Sequence, residues 1–174
     1  MISIRFKQLS SLAVCISALA LMVAAGAGGQ SKARKPGRDP ILGKWKLDAK
    51  KSRFLDPQAR IIAMTRVYSL DGDAIKVWWD AHPATGKAVS HSFSSKCDGS
   101  LEPAYDTAQI KCEYKNRFWV NGELLDANDP GHKYYSRVVG LDGKTMKIIW
   151  FSDPERKQLK EVLQFDKEEP GKKK

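Results

Sequence analysis

The sequence predicts an all-β protein, a single antiparallel up-and-down β-barrel of about eight to ten strands. Three observations carry that prediction. From Ile41 onward, Val, Ile, Tyr, Trp and Phe gather in runs of roughly five to nine residues, the length of ordinary strands. Turn signals separate the runs: Asp71-Gly72-Asp73, Thr85-Gly86, Asp98-Gly99, Asn121-Gly122, Asp142-Gly143 and Asp153-Pro154. Within the runs the side chains alternate. Ile75, Val77 and Trp79 share one face, and Lys76, Trp78 and Asp80 the other. Met146, Ile148 and Trp150 oppose Thr145, Lys147 and Ile149; Tyr135, Arg137 and Val139 oppose Tyr134, Ser136 and Val138. No long stretch has clean helical periodicity, and residues 41–168 contain no internal repeat or low-complexity linker.

The elements follow in order. Strands are expected at 43–48, 61–69, 74–80, 88–97, 108–114, 117–121, 123–127, 133–139, 145–151 and 158–166. One helical turn fits between Asp48 and Ala59, with Asp48 as N-cap and Pro57 limiting its extent. Asn121-Gly122 reads either as a turn or as a bulge within one longer strand. Residues 155–164 carry helix-compatible side chains. They are assigned to a strand because a closed sheet needs a last member.

Outside this region the chain reads differently. Arg5 and Lys7 precede an apolar run at 9–25, which ends in Ala25-Gly26-Ala27, a small-residue site for signal peptidase. Residues 1–27 are therefore expected to be a signal peptide cleaved after Ala27. The run is near the lower limit for a bilayer span, and the cleavage site argues against a retained anchor. Cys15 sits mid-run after Val14, the wrong place for lipid attachment. Residues 28–40 read as a basic flexible segment, 41–168 as the barrel and 169–174 as a basic tail. The leader removes two basic and no acidic residues from a net charge of +10, so the mature chain stays strongly basic. Much of that charge lies at the ends, in Lys32, Arg34, Lys35, Arg38 and Lys172 to Lys174. Such runs are solvated, and they suit an anionic envelope surface better than nucleic acid, which an exported protein rarely meets. The expected product is a periplasmic or secreted monomer with no transmembrane segment after processing.

Two cysteines remain in the mature chain, Cys97 and Cys112. An even pair in an exported protein reads as a disulfide, here between the ends of adjacent strands joined by the 98–111 connection. Such a loop length gives a bridge worth on the order of 3 kcal/mol. The C-x-x-C spacing of a redox-active pair is absent.

The run "ILGKWKLDAKKSRF" at 41–54 places Gly43 and Trp45 at the start of the first strand. This resembles the N-terminal signature of the lipocalins and related calycin barrels. The resemblance implies that Gly43 bends the chain into the barrel. It implies that Trp45 plugs one end, stacked under a basic side chain from a late strand; Lys167 and Arg137 are the candidates. The segments "DGDAIKVWWDA", "KCDGSLEPAYDT" and "SRVVGLDGKTMKII" are similar, in order, to segments of small exported bacterial lipocalin-like proteins of largely unassigned function. Cys97 stands where that group usually has Tyr, Cys112 looks like an added partner, and "NGELLDANDPGHKYY" is longer than expected. The matching segments are turns and strand cores, so they identify a fold rather than a chemistry.

Catalytic signals are weak. His82, His91 and His132 lack a metal-ligand spacing, although His82 and His91 flank one expected hairpin. No nucleophile elbow is present. The carboxylate pairs Glu123/Asp126 and Asp126/Asp129 sit in turn-like sequence, and Glu168-Glu169 reads as tail. The sequence therefore predicts no enzyme, no metal site and no cofactor. It points to a noncatalytic binding protein for a small, mostly apolar ligand held inside the barrel. Alternation nominates Met64, Tyr68, Trp79, Tyr135, Met146 and Trp150 as lining, with Phe118 and Phe165 beside them. Arg66 or Arg137 would meet an acidic group, since each shares a face with an aromatic two residues away. The alternative is an envelope interaction or structural module with a filled barrel, in which exposed aromatics such as Trp78 and Trp119 form the partner surface.

Overall fold

A computed structural model describes residues 39–126, 129–169 and 171. The leader at 1–27, the basic segment up to residue 38 and Lys172 to Lys174 lie outside the described residues. Eleven strands follow one another: β1 (Gly43–Leu47), β2 (Arg53–Phe54), β3 (Ile61–Asp71), β4 (Ala74–Pro83), β5 (Val89–Ser95), β6 (Asp98–Pro103), β7 (Gln109–Asn116), β8 (Trp119–Asp126), β9 (Asp129–Val139), β10 (Thr145–Phe151) and β11 (Leu159–Lys167). All the pairings are antiparallel, in the order β5-β4-β3-β1-β11-β10-β9-β8-β7-β6, with β2 attached to β11. The pairing of β1 with β11 joins the two ends of the meander and bends it into a barrel. Trp45 lies opposite Lys167, and Leu47 opposite Phe165.

The first and last members of that path, β5 and β6, share no ladder. The seam between them is closed by side chains. The Ser95 hydroxyl donates to Glu102, whose carboxylate also accepts from the Lys96 backbone N–H at 3.1 Å. The Cys97–Cys112 disulfide ties the β5–β6 link to β7, with Cα atoms 4.4 Å apart. The expected bridge is present, but the connection of residues 98–111 contains a strand of its own, β6. The Asp98-Gly99 turn signal had hidden it. Gly99 takes a φ of +94°, and the register shifts between Asp98 and Leu101, so the pair marks a bulge inside a strand. The reversal comes just before it, at Cys97, which has a φ of +51°.

Asn121-Gly122 is neither a turn nor a bulge. Both residues continue β8 in unbroken register, opposite Ser136 and Tyr135 of β9. Glycine is required there by packing. A Cβ at position 122 would overlap the ring of Tyr135, which lies across it. The expected strands 117–121 and 123–127 are thus one strand. Consequently Glu123 and Asp126 belong to β8 and are not turn residues. The helical turn also sits elsewhere than expected: it is a 3-10 turn at Pro57–Ala59, capped by Asp56, which accepts from the Gln58 N–H at 2.9 Å. Asp48 instead holds a non-helical turn by accepting from the Lys50 N–H. Glu168, read as tail, is fastened to β1. Its N–H donates to Lys44 O at 2.8 Å, and its carboxylate pairs with Lys44 and Lys46.

One end of the barrel is filled. Trp45, Phe165 and Met146 are 0% exposed, with Ile41 and Val139 buried beside them. The Trp45 indole N–H donates to Ile41 O at 2.7 Å. Lys167 covers the ring, its Nζ 5.0 Å from the ring centroid and donating to Pro40 O. Lys167, rather than Arg137, is therefore the cation over Trp45. Burial pulls the Lys167 pKa down, against the weaker opposing pull of Asp39. Gly43 sits at a φ of +123°, and a Cβ there would meet Lys167 Cε at 2.9 Å. A side chain at position 43 would strain the bend and displace the lysine.

Truncating a buried Trp costs roughly 3–5 kcal/mol, so Trp45→Ala should lower the stability to chemical denaturation by about that amount. An unchanged unfolding midpoint would mean that Trp45 closes nothing.

Candidate functional site

Above the plug the barrel is hollow. A cavity of about 690 Å3 opens between the strands, within the usual range of about 300–1,000 Å3 for small-molecule sites. The pleat builds its wall. Tyr68, Arg66 and Met64 point inward from β3, Ile75, Val77 and Trp79 from β4, and Phe93 and Ser95 from β5. Ile148 and Trp150 come from β10, Tyr135 and Arg137 from β9, and Glu161 and Leu163 from β11. Cys97, Cys112, Ile110 and Leu124 complete the wall on the far side. Leu55, Asp56, Ile61, Lys133, Ser152, Leu159 and Lys160 surround the mouth.

Of the eight residues nominated from the sequence, Met64, Arg66, Tyr68, Trp79, Tyr135, Arg137 and Trp150 line this cavity. Met146 does not. It is one inward step below Ile148, opposite Val139 and Phe165, in the layer that the plug fills. Phe165 belongs to that same layer, and Phe118 packs against the core with the Arg117 guanidinium over its ring. Alternation gives the face of a strand but not the height at which the core stops, which leaves Met146 and Phe165 out of the lining, whereas Phe118 lies in the turn before β8, where no alternation applies. Phe93, Leu163 and Glu161 were missed, although period two would have found them: Phe93 is opposite Val77, and Glu161 is two residues before Leu163. Tyr105 lines the cavity from the β6–β7 loop, where no periodicity applies.

The polar groups are few and charged. Arg137 is 9% exposed, with its guanidinium 5.2 Å from the Tyr68 ring centroid. Arg66 lies over the same ring at 5.8 Å and over Trp79 at 5.0 Å. The two guanidiniums therefore flank one tyrosine. Among the described residues neither pairs with a carboxylate, and the buried Nε of Arg66 has no hydrogen-bond partner. Aromatic faces give a desolvated cation about 2 kcal/mol, less than a hydrogen-bonded anion would. Burial works against the charge of Arg137, neighbouring Tyr68, Tyr114 and Tyr135 and the more weakly acting Asp39 carboxylate favour it, and the net shift of its pKa is upward. Burial also pushes the Tyr135 phenol up to about 12. Glu161 is raised by burial, against the opposing pull of Lys133 and Lys160.

The other candidates do not converge. His82 is exposed and meets Asp80 Oδ2 at 3.0 Å. His91 faces inward opposite Trp79 and stacks with Tyr105 at 4.3 Å across the β5–β6 seam. The side chain of His132 is outside the described residues. Trp78 and Trp119 are on the outer wall, at 39% and 42% exposure.

No family model matches the sequence, and no curated protein sequence matches it. Solved structures do match the fold. A Schistosoma mansoni fatty acid binding protein in complex with arachidonic acid has a TM-score of 0.54 and 17% identity, covering 75% of this chain and 97% of that one. The fold is a calycin-type barrel. Secretory abundant heat soluble protein 4 from Ramazzottius varieornatus superposes with a TM-score of 0.51 and 13% identity, covering 75% of this chain and 96% of that one. At these identities the likeness is one of architecture, and the calycin-type barrel by itself assigns no ligand.

The Tyr135 shift has a measurable sign. An unfolded tyrosine loses its proton near pH 10, whereas the native one keeps it to about 12. Stability from this group is full below pH 10 and declines as pH rises to 12, by about 2–3 kcal/mol. Tyr135→Phe should flatten that part of the stability–pH curve. An identical slope in both proteins would place the phenol in water.

Proposed function

We propose that this protein is an exported, noncatalytic binding protein for a small, mostly apolar molecule with an acidic head, held inside the barrel. One observation carries the reading: two guanidiniums flank Tyr68 at the wall of an apolar cavity, and among the described residues no carboxylate pairs with either, Asp39 acting on Arg137 only through space. A ligand carboxylate supplies the missing acceptor, and charge-assisted bonds of that kind contribute about 1.5–3 kcal/mol each. The cavity favours this reading over a filled interaction module. The ligand of the Schistosoma protein, arachidonic acid, is an apolar acid, which supports the same class for this chain. Met64, Trp79, Tyr135 and Trp150 contact the apolar part, and Arg66 and Arg137 take the head. Export follows from the leader at 1–27, and the basic ends keep the mature protein near anionic envelope surfaces.

Trp79 and Trp150 line the cavity, so their fluorescence reports on filling. A long-chain fatty acid should bind saturably, and the corresponding alcohol more weakly. Arg137→Ala should weaken the acid roughly 10- to 100-fold and the alcohol little. Equal losses for acid and alcohol would remove Arg137 from the site, and no saturable binding by either would sink the ligand reading.

Export has its own check. N-terminal sequencing of protein recovered from the cell envelope should begin at Gly28, and a start at Met1 would defeat the leader assignment.

A further inference from the structure

Glu161 is a carboxylate on the inner wall whose chemistry an apolar acid does not use. It projects from β11 in line with Leu163 and Phe165, opposite Trp150, which is itself opposite Tyr135. It lines the cavity. Among the described residues it accepts no hydrogen bond and forms no ion pair. Lys133 and Lys160 act on it only through space, and burial outweighs them. A carboxylate without a protein partner in a cavity open to solvent is ordinarily hydrated. A plain hydrocarbon chain that fills the cavity displaces that water and leaves the acceptor unpaired, which lowers affinity.

From this we infer that the ligand class is a long-chain acid bearing a mid-chain hydroxyl, with Glu161 as the specificity residue that accepts its hydrogen bond. The inference rests on the acid-binding reading above. The placement of the hydroxyl comes from the sheet. Arg137 is opposite Ile148, and Glu161 opposite Trp150, so the two are separated by β10 and by one inward step. At about 4.8 Å per strand and 3.3 Å per residue, their Cα atoms are roughly 12 Å apart. With the head at Arg66 and Arg137, the donor falls along the chain towards the mouth and not beside the carboxyl. The donor is neutral rather than cationic. Lys133 and Lys160 are near enough to act on Glu161, and they would repel an ammonium.

The test compares stearic acid, 12-hydroxystearic acid, 2-hydroxystearic acid and 1-octadecanol on the mature protein and on Glu161→Leu and Glu161→Gln. The mature protein should bind 12-hydroxystearic acid at least fivefold more tightly than stearic or 2-hydroxystearic acid. Glu161→Leu should abolish or reverse that preference, by tightening stearic acid and weakening the 12-hydroxy acid. Glu161→Gln keeps an acceptor and should keep part of the preference, which separates a lost hydrogen bond from a disturbed fold. Equal binding of the three acids by the mature protein, or a preference that survives in Glu161→Leu, would overturn the inference and leave acid binding intact. If none of the acids binds better than 1-octadecanol, the acid reading itself fails and takes this inference with it.

Discussion

The Trp45 indole lies wholly buried, its N–H held by Ile41 O and its face covered by Lys167. Much of the architecture depends on that contact. It pins the chain just before β1 to the last residue of β11, and the β1–β11 ladder is what turns a meander into a barrel. It also sets the floor of the cavity. Met146, Phe165 and Val139 pack in the same layer, so the inward residues one step higher, Ile148, Leu163 and Arg137, form the deepest part of the cavity wall. The barrel thus has one end closed by packed side chains and a cavity above it. Trp45 marks the boundary between them.

The region above that floor is chemically unbalanced. An apolar wall stabilises a fold when it packs, and here it surrounds empty space. Guanidiniums in such surroundings need counter-charges, yet among the described residues these lie over aromatic rings and form no ion pair, with Asp39 acting on Arg137 only through space. Removing the partner of a buried charge ordinarily costs several kcal/mol, because the remaining ion is left uncompensated. The tyrosine and tryptophan faces recover part of this, and a bound carboxylate would recover more. The same imbalance recurs at Glu161 with the opposite sign. Stability and binding are therefore opposed in this cavity: the groups that would make a ligand bind well are those that the free protein satisfies poorly.

The barrel class, most of its strands and the inward faces of β3, β4, β9 and β10 were legible in the sequence, because a sheet with one wet face writes a period of two. Errors arose where a local signal had another cause. Asn121-Gly122 carries the signature of a hairpin, but Gly122 is there to admit the ring of Tyr135 from the next strand, a contact that no local pattern encodes. Asp98-Gly99 marks a bulge within β6, and the bulge looks like a turn until its partner strand is known. The depth of the core was equally hidden. Met146 and Ile148 are alike in sequence, and only the plug layer separates filling from lining. Arg66 and Arg137 could be placed on an inward face by alternation. That both flank Tyr68 depends on a meeting across the barrel between β3 and β9, which are not neighbours in the sheet.

The most direct measurement is carbon-13 NMR of a fatty acid labelled at its carboxyl carbon, bound to the mature protein and followed as the pH is lowered. A carboxylate held by Arg66 and Arg137 is stabilised in its charged form, so its resonance should stay at the ionised position well below pH 4. A bound resonance that titrates near the ordinary carboxylate value of about 4.3 would put the head group in water at the mouth. That result would contradict a site built around the two buried arginines.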